Sequence, residues 1–552
     1  MTPIKRFYNL LELDKKDIYQ IFFYAIFAGL VSLSLPLGIQ AIINFIQSGR
    51  VSVSWIVLII LVVIGVALVG ILSLMQLRIT ENLQQKIFVR FSFEFAARLP
   101  KITSNQIYGH YLPELTNRFF DTLTIQKGTS KLLIDFSAAL LQIIFGIILL
   151  SLYHPYFIIF GVLLLLLLFF IFKFSYSPGI ETSLKESKAK YSVVSWLQEI
   201  ARNSFSFINE LTHDFALQKN DTLVTEYVTY REKHFSVIKK QFTQLIIFKI
   251  IITAGLLSIG GFLVLGQEMN IGQFVAAEII ILLVINSVEK IILGLQTFYD
   301  VLSSVEKIGQ INDLELEEYT DSKDDNYYNN ITLETENLNF KFPDSENFIL
   351  ENINLKIEQG EKVVIDGTNG SGKTTLIRLL SRVLKQNSGS LYINDDTYKK
   401  INIKQYRSQI NYINYNETPF EGTILENLTF NDPSVSSEDL KWAIEGVQLG
   451  SFIKQLPKGL DTHIFPEGQQ LSSSNAQKLL LARSIIHRPK ILFYEDPTDT
   501  MDDNVANEII DFITSDKNKW TIIVSSKNPY WETKSTRKIT MQRGHIILDQ
   551  KK

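Results

Sequence analysis

The stretch Gly367-Thr-Asn-Gly-Ser-Gly372-Lys373-Thr374 fits the pattern G-x-x-x-x-G-K-[ST]. Its flanks fit as well. Lys362-Val-Val-Ile365 reads as a strand before it, and Thr375-Leu-Ile-Arg-Leu-Leu380 as a helix after it. In that setting glycines let backbone N–H groups wrap phosphates, and the helix N-terminus adds a favourable dipole. Lys373 would reach the β- and γ-phosphates, and Thr374 would ligate Mg²⁺. Gly367, Thr368, Asn369, Gly370, Ser371, Gly372, Lys373, Thr374 and Thr375 are the expected ATP-binding residues, with Mg²⁺ as companion ion. The competing reading, a chance glycine-rich turn, leaves both flanks unexplained. From Ile331 onward short β-like runs alternate with helical ones, so residues 331–552 read as an α/β P-loop nucleotide-binding domain.

Upstream the composition changes. The chain has 552 residues, 46% of them hydrophobic and only 20% charged, and the apolar ones crowd into the first 300. Six apolar segments are long enough to cross about 30 Å of hydrocarbon. They lie near 19–46, 55–77, 133–153, 156–173, 246–266 and 273–299, with His154-Pro155 as a tight turn between two of them. The fold class is a multidomain membrane protein: an all-α six-helix transmembrane domain (1–305), a linker (306–330) and the nucleotide-binding domain. Lysine and arginine set the orientation. Four lie in the first 18 residues, eight in 78–135 and eleven in 173–249, whereas the three short loops hold only Arg50. The N-terminus, both long loops and the nucleotide-binding domain are therefore expected in the cytoplasm.

Ile87, Phe91, Phe95 and Leu99 keep a helical spacing, so the membrane helices should extend beyond the bilayer. The tips of the two long loops are expected at Leu115–Gln126 and around His213–Asp221. Residues 3–16 suit a helix lying on the membrane surface. Glu278 suits a polar path lining, while Glu289 and Lys290 suit an extension of the last helix out of the bilayer. Absence of cysteine excludes a disulfide framework, thiol catalysis and cysteine metal clusters. A net charge of −3 gives no field that would attract nucleic acid.

Six spans, long charged loops and a C-terminal P-loop domain together resemble an ABC exporter half-transporter, over nearly the whole chain. Further stretches are collinear with that family. Phe342 stands where an aromatic stacks on adenine. Gly422-Thr-Ile424 with Glu426-Asn427 resembles G-T-I-x-E-N. Leu471, Ser472, Ser473, Ser474 and Asn475 stand where the signature L-S-G-G-Q is expected, followed by Ala482-Arg483. Ile491–Thr498 carries the second acidic motif, and Thr521-Ile-Ile-Val524 the last core strand. Ser34–Gln40 resembles the type I secretion and bacteriocin group. The resemblance implies ATP, Mg²⁺, a lipid bilayer and a second half-transporter, identical or different, since each ATP lies between one chain's P-loop and the other's signature. It implies the bacterial inner membrane, and the secretion group adds a periplasmic adaptor and an outer-membrane channel. No folded segment precedes the first span, so a leader-peptidase domain is not expected.

The departures cluster at the nucleotide. The family's D-E pair is inverted, as Glu495-Asp496: Glu495 takes the Mg²⁺ position, and Asp496, one methylene short, takes that of the general base. Tyr415 replaces the glutamine, Lys527 the histidine, and Ser473-Ser474 the signature glycines. Thr462-His-Ile-Phe-Pro-Glu-Gly468 replaces T-E-V-G-E-R-G. The expected catalytic set is thus a variant one: Glu495, Asp496, Lys527 and Tyr415, with Thr374 and Glu495 at the metal. Two functions follow. One is an ATP-driven exporter of protein, peptide or amphipathic cargo by alternating access. The other is an ATP-binding, hydrolysis-deficient regulatory or partner subunit.

Overall fold

The computed structural model describes residues 1–47, 53–108, 111–317, 330–343, 345–394, 396–397 and 401–552. Contacts divide the chain into two compact units, Met1–Lys101 with His110–Leu314, and Ile102–Gly109 with Glu315–Lys552. Arg50 and residues 318–329 of the expected linker lie outside the described residues.

The first unit is helical: α1 (Pro3–Leu13), α2 (Lys15–Ser32), α3 (Ser34–Gln47), α4 (Val53–Arg98), α6 (Leu112–Asn117), α7 (Asp121–Tyr153), α8 (Tyr156–Arg202), α9 (Glu210–Leu265) and α10 (Ile271–Asn312). The short α5 (Ser104–Ile107) belongs to the second unit. Six of these stretches are long and apolar enough to cross a membrane, where backbone groups must satisfy each other within the segment. The chain is a multi-pass membrane protein. The first span is not one helix, as its sequence suggested, but breaks at Leu33, just before Pro36, which has no N–H to continue the ladder. The last helix runs to Asn312, past the expected domain end at 305, because apolar residues such as Ile308 and Ile311 stay buried along it. The loop tips also differ. In this unit short pieces at Leu99–Lys101, Leu112–Asn117 and Arg118–Phe120 stand at the first turn, and the second lies at 203–209, where Asn203 leaves helical geometry and Asn209 starts α9 in an extended conformation. His213–Asp221 is therefore inside α9.

Helix α10 packs lengthwise on α7, and α8 on α9. Glycine permits the closest approaches, as expected where no hydrophobic drive separates protein from lipid. A Cβ at Gly146 would lie 2.7 Å from Val284 Cγ2, and one at Gly294 2.5 Å from Phe136 Cε1. Gly179 of α8 lies under the ring of Tyr299, where a Cβ would come within 2.3 Å of Cζ. Tyr299 is fully buried; its hydroxyl donates to Ser175 O at 3.1 Å and accepts from Gln241 Nε2 at 2.9 Å. Charges are paired across the unit: Arg90 holds both oxygens of Asp14 at 2.9 and 2.8 Å, and Arg6 reaches Glu306 at 3.0 Å and Asp313. Glu289 pairs with Lys249 at 2.7 Å. Glu278 is half-buried, with no ion pair among the described residues.

The second unit is α/β. Its strands are β1 (Leu333–Phe340), β2 (Leu350–Ile357), β3 (Lys362–Gly367), β4 (Ser388–Ile393), β5 (Asp396–Thr397), β6 (Ile410–Ile413), β7 (Gly422–Thr423), β8 (His463–Ile464), β9 (Ile491–Glu495), β10 (Thr521–Ser525), β11 (Arg537–Gln542) and β12 (His545–Lys551). Its main helices are α11 (Lys373–Leu380), α12 (Ile403–Ser408), α13 (Ile424–Thr429), α14 (Ser437–Gly446), α15 (Gly450–Gln455) and α16 (Ser473–Ile485). One sheet runs β12-β11-β3-β10-β9-β6, parallel except for β12; an antiparallel sheet runs β2-β1-β4-β5. Every residue of β9 and β10 is buried, as parallel strands covered on both faces require. At the sheet's edge Arg537 bridges Glu361 at 2.9 Å and both oxygens of Asp549, and Lys551 reaches Glu361 at 2.7 Å.

Two outcomes are expected. Gly179→Ala forces Tyr299 off its partners, an overpacking cost of about 1–3 kcal/mol. It should lower the melting temperature in lipid nanodiscs, whereas Gly70→Ala, which meets nothing within 4 Å, should not; equal melts would refute the packing argument. Burial raises the Glu361 carboxyl, but hydrogen bonds from Lys551 and Arg537 outweigh it and hold its pKa below the ordinary value. A carboxylate depressed in the folded state contributes stability that is full above its unfolded pKa and is lost as pH falls through the folded one. Melting temperatures followed from about pH 6 to about pH 3, across the titration range of carboxylates, should therefore fall less steeply for Glu361→Gln than for the natural chain.

Candidate functional site

Strand β3 ends at Gly367 (φ +146°) and the chain turns through Thr368–Ser371 to Gly372 (φ +98°), which starts α11. Both glycines are required. A Cβ on Gly367 would sit 2.2 Å from the Met541 carbonyl oxygen, and one on Gly372 2.6 Å from Leu350 Cδ2. Thr368, Asn369 and Gly370 are exposed at the tip of the loop, while the Gly367 N–H donates to Asp366 Oδ1 at 2.7 Å and the Ser371 N–H to Thr368 O at 3.1 Å. Lys373 folds back over the loop, donating to Gly367 O at 2.6 Å and Thr368 O at 3.0 Å. Ser371 is buried, and its Oγ has no hydrogen-bond partner among the described residues. Thr374 and Thr375 lie half-buried in the first turn of α11. This loop and helix start have the arrangement that suits a phosphate.

Phe342, half-buried, meets Phe340 edge-on at 5.0 Å and is stacked at 4.4 Å and 12° by Tyr108, from the short segment Ile102–Gly109 that packs in this unit. One face of Phe342 is thus already covered.

Glu495 closes β9 and is 3% exposed. Its Oε1 accepts Arg378 Nε at 2.8 Å and the Tyr412 hydroxyl at 2.7 Å; its Oε2 accepts Arg378 Nη2 at 2.9 Å. Arg378 also donates to Asn414 Oδ1 at 3.2 Å. Burial works against the Arg378 charge, but Glu495 and Tyr412 outweigh it and raise its pKa. Thr374 fits Mg²⁺ as a hydroxyl ligand. Glu495 does not fit its expected metal role, because three of its roughly four acceptor sites are taken and its charge is neutralised by a guanidinium. Sequence reasoning missed Arg378, Tyr412 and Asn414. The available signal was spacing: Arg378 lies four residues after Thr374, on the same helix face.

Asp496 has left the strand, with φ +45°. Its Oδ1 accepts the Lys527 N–H at 2.9 Å, and its own N–H donates to Ser525 O at 2.7 Å. Burial pushes the Asp496 carboxyl above its ordinary range and Asp499 adds to this, against the Lys527 N–H and ammonium. Tyr415 is 53% exposed, and the Asp499 carboxylate pushes its phenol up. The fold therefore gathers Asp496, Lys527, Tyr415 and Asp499, while the Lys527 side chain is exposed.

Leu471–Asn475 forms the start of α16. Ser472 caps it, with Oγ accepting Asn475 N–H at 3.2 Å, and Ser473 and Ser474 occupy its first turn. Thr423 caps α13 in a box with Glu426. Arg483 ties these pieces together: it donates to Asn427 O at 2.8 Å and lies over the rings of Phe420 and Phe430.

Residues 18–288 match the family model of the ABC transporter transmembrane region, and residues 350–499 that of the ABC transporter. The ATP-dependent permease MDL1 of Candida albicans is 33% identical over 225 residues, which is 40% of this chain and 33% of that protein. A putative multidrug export ATP-binding/permease protein of Staphylococcus aureus (strain NCTC 8325 / PS 47) is 29% identical over 218 residues, 39% of this chain and 37% of that protein. The matched stretch thus spans about a third of the length of these two relatives. In fold, the structure of a bacterial Atm1-family ABC exporter with ATP bound superposes with a TM-score of 0.84 at 16% identity, over 97% of this chain and 95% of that one. With an ABC transmembrane region and an ABC ATPase domain in sequence on one polypeptide, the chain belongs to the ABC transporters and has the architecture of an exporter half-transporter.

Proposed function

We propose that this chain is one half of an ATP-dependent exporter and that turnover at its own P-loop is slow. A second half-transporter, a copy or a different chain, supplies the signature that faces its ATP. The two membrane domains then switch between inward and outward openings as the nucleotide pair closes. The multidrug-export and permease names of the relatives support export of an amphipathic molecule or peptide. The lysine and arginine pattern supports a cytoplasmic nucleotide-binding domain beneath a bacterial inner membrane. A periplasmic adaptor and outer-membrane channel belong to the secretion resemblance alone.

The observation that carries slow turnover is the placement of Asp496. A general base must reach the attacking water. This carboxylate is one methylene shorter than the family's glutamate and is anchored by the Lys527 N–H. A misplacement of about 1 Å costs on the order of 10²-fold in rate. Lysine at 527 offers donors only and cannot replace a neutral imidazole as acceptor. A second reading, a partner subunit that binds ATP without turning it over, is favoured by the capture of Glu495 by Arg378.

The test is ATP hydrolysis with Mg²⁺ in lipid nanodiscs, beside Lys373→Ala. The expected rate lies within about twofold of the variant's, while ATP binding is at least about tenfold weaker in the variant, which lacks the phosphate-facing charge. A brisk rate abolished by Lys373→Ala would instead make the variant site a working one and the chain a self-sufficient motor.

A further inference from the structure

The Glu495 carboxylate stands where the proposed ATP site needs an acidic group for Mg²⁺, yet it is committed to protein. Arg378 grips it through two nitrogens, at 2.8 and 2.9 Å, and Tyr412 adds a third bond at 2.7 Å. Asn414 Oδ1 accepts from Arg378 Nη2 as well, at 3.2 Å. The pair is buried on the carboxylate side, with 3% side-chain exposure for Glu495 and 30% for Arg378. Such a pair is fixed in place, because freeing one member leaves an uncompensated charge in a site of low polarity. Arg378 is also one helical turn from Thr374, the remaining hydroxyl ligand for the ion. A guanidinium cannot lose its proton at any accessible pH. A divalent cation drawn to Thr374 therefore meets a neutralised carboxylate and a permanent positive charge.

We infer that Arg378 has displaced the metal's acidic partner, so that this P-loop binds nucleoside triphosphate with little dependence on Mg²⁺. The triphosphate is then held by the loop's N–H groups, the α11 N-terminus and Lys373, which recognise anionic oxygens without a bridging ion. The inference rests on ATP binding at this loop, and it is independent of whether the bound ATP is cleaved.

The experiment is equilibrium binding of a fluorescent ATP analogue to the full chain in nanodiscs, in Mg²⁺ and in EDTA. The natural chain should show affinities within about threefold of each other. Arg378→Met, which releases Glu495, should bind at least about tenfold tighter in Mg²⁺ than in EDTA. Arg378→Lys, which keeps the charge but offers a single nitrogen, should fall between them and guards against loss of folding in the methionine variant. A natural chain that already binds tenfold tighter with Mg²⁺ overturns the inference, as do variants whose Mg²⁺ dependence equals that of the natural chain. Metal-independent binding with brisk hydrolysis on adding Mg²⁺ would sustain this inference and defeat slow turnover. Metal-dependent binding without hydrolysis would do the reverse.

Discussion

The nucleotide-binding half depends on one close approach. At Gly367 the backbone of β3 passes so near the Met541 carbonyl that even a methyl group is excluded, and φ takes a value that side chains resist. Only there can the chain leave the sheet, loop outward and re-enter as α11. The loop's N–H groups, the amine of Lys373, the hydroxyl of Thr374 and the guanidinium of Arg378 all inherit their positions from that turn. Neighbouring β9 and β10 end beside it and deliver Glu495, Asp496 and Lys527. The site is thus a property of a parallel sheet whose strands terminate together, and its chemistry is set by which side chains stand at those ends.

The membrane half meets a different constraint. Its outer surface is apolar, so burying apolar area against a neighbour gains little over contact with lipid. Close packing and internal polar bonds decide which helices pair. The small residues at Gly146, Gly179 and Gly294 bring α7, α8 and α10 together, and Tyr299 fixes its place through Ser175 and Gln241. Ion pairs such as Arg90–Asp14, Arg6–Glu306 and Lys249–Glu289 add polar ties between segments that are far apart in sequence.

Much of this was legible in the sequence, because the signals were local. An apolar run states that a helix crosses a bilayer, and the P-loop carries its strand and helix with it. What escaped was a pair of breaks with weak local signals and whatever depends on distant partners. The break at Leu33 needed Pro36 to outweigh an unbroken apolar run. The turn at 203–209 carries two asparagines but no glycine or proline to announce it, and the end of α10 follows burial of Ile308 and Ile311, which composition cannot show. Arg378 was read only as part of a helix, since its partner lies 117 residues on. The identities of Glu495, Asp496, Tyr415 and Lys527 were visible, but not where each points.

The inversion of Glu495 and Asp496 becomes intelligible once those directions are known. Position 495 is the last rung of β9, paired with Ser525, so its side chain sits within the sheet's end and must stretch to meet α11. Glutamate spans that gap and places both oxygens on Arg378; aspartate, one methylene shorter, would reach at most part way. Position 496 lies just beyond the ladder, in a left-handed turn that aspartate tolerates better than most residues. There a short carboxylate drops onto the Lys527 N–H, where a longer one would carry its oxygens past it. Each residue therefore has a protein partner within reach of its own length. Arg378 and the swapped acids form one coupled arrangement, so reverting either acid alone would leave the other, and the arginine, in the wrong place. Effects within such a unit do not add.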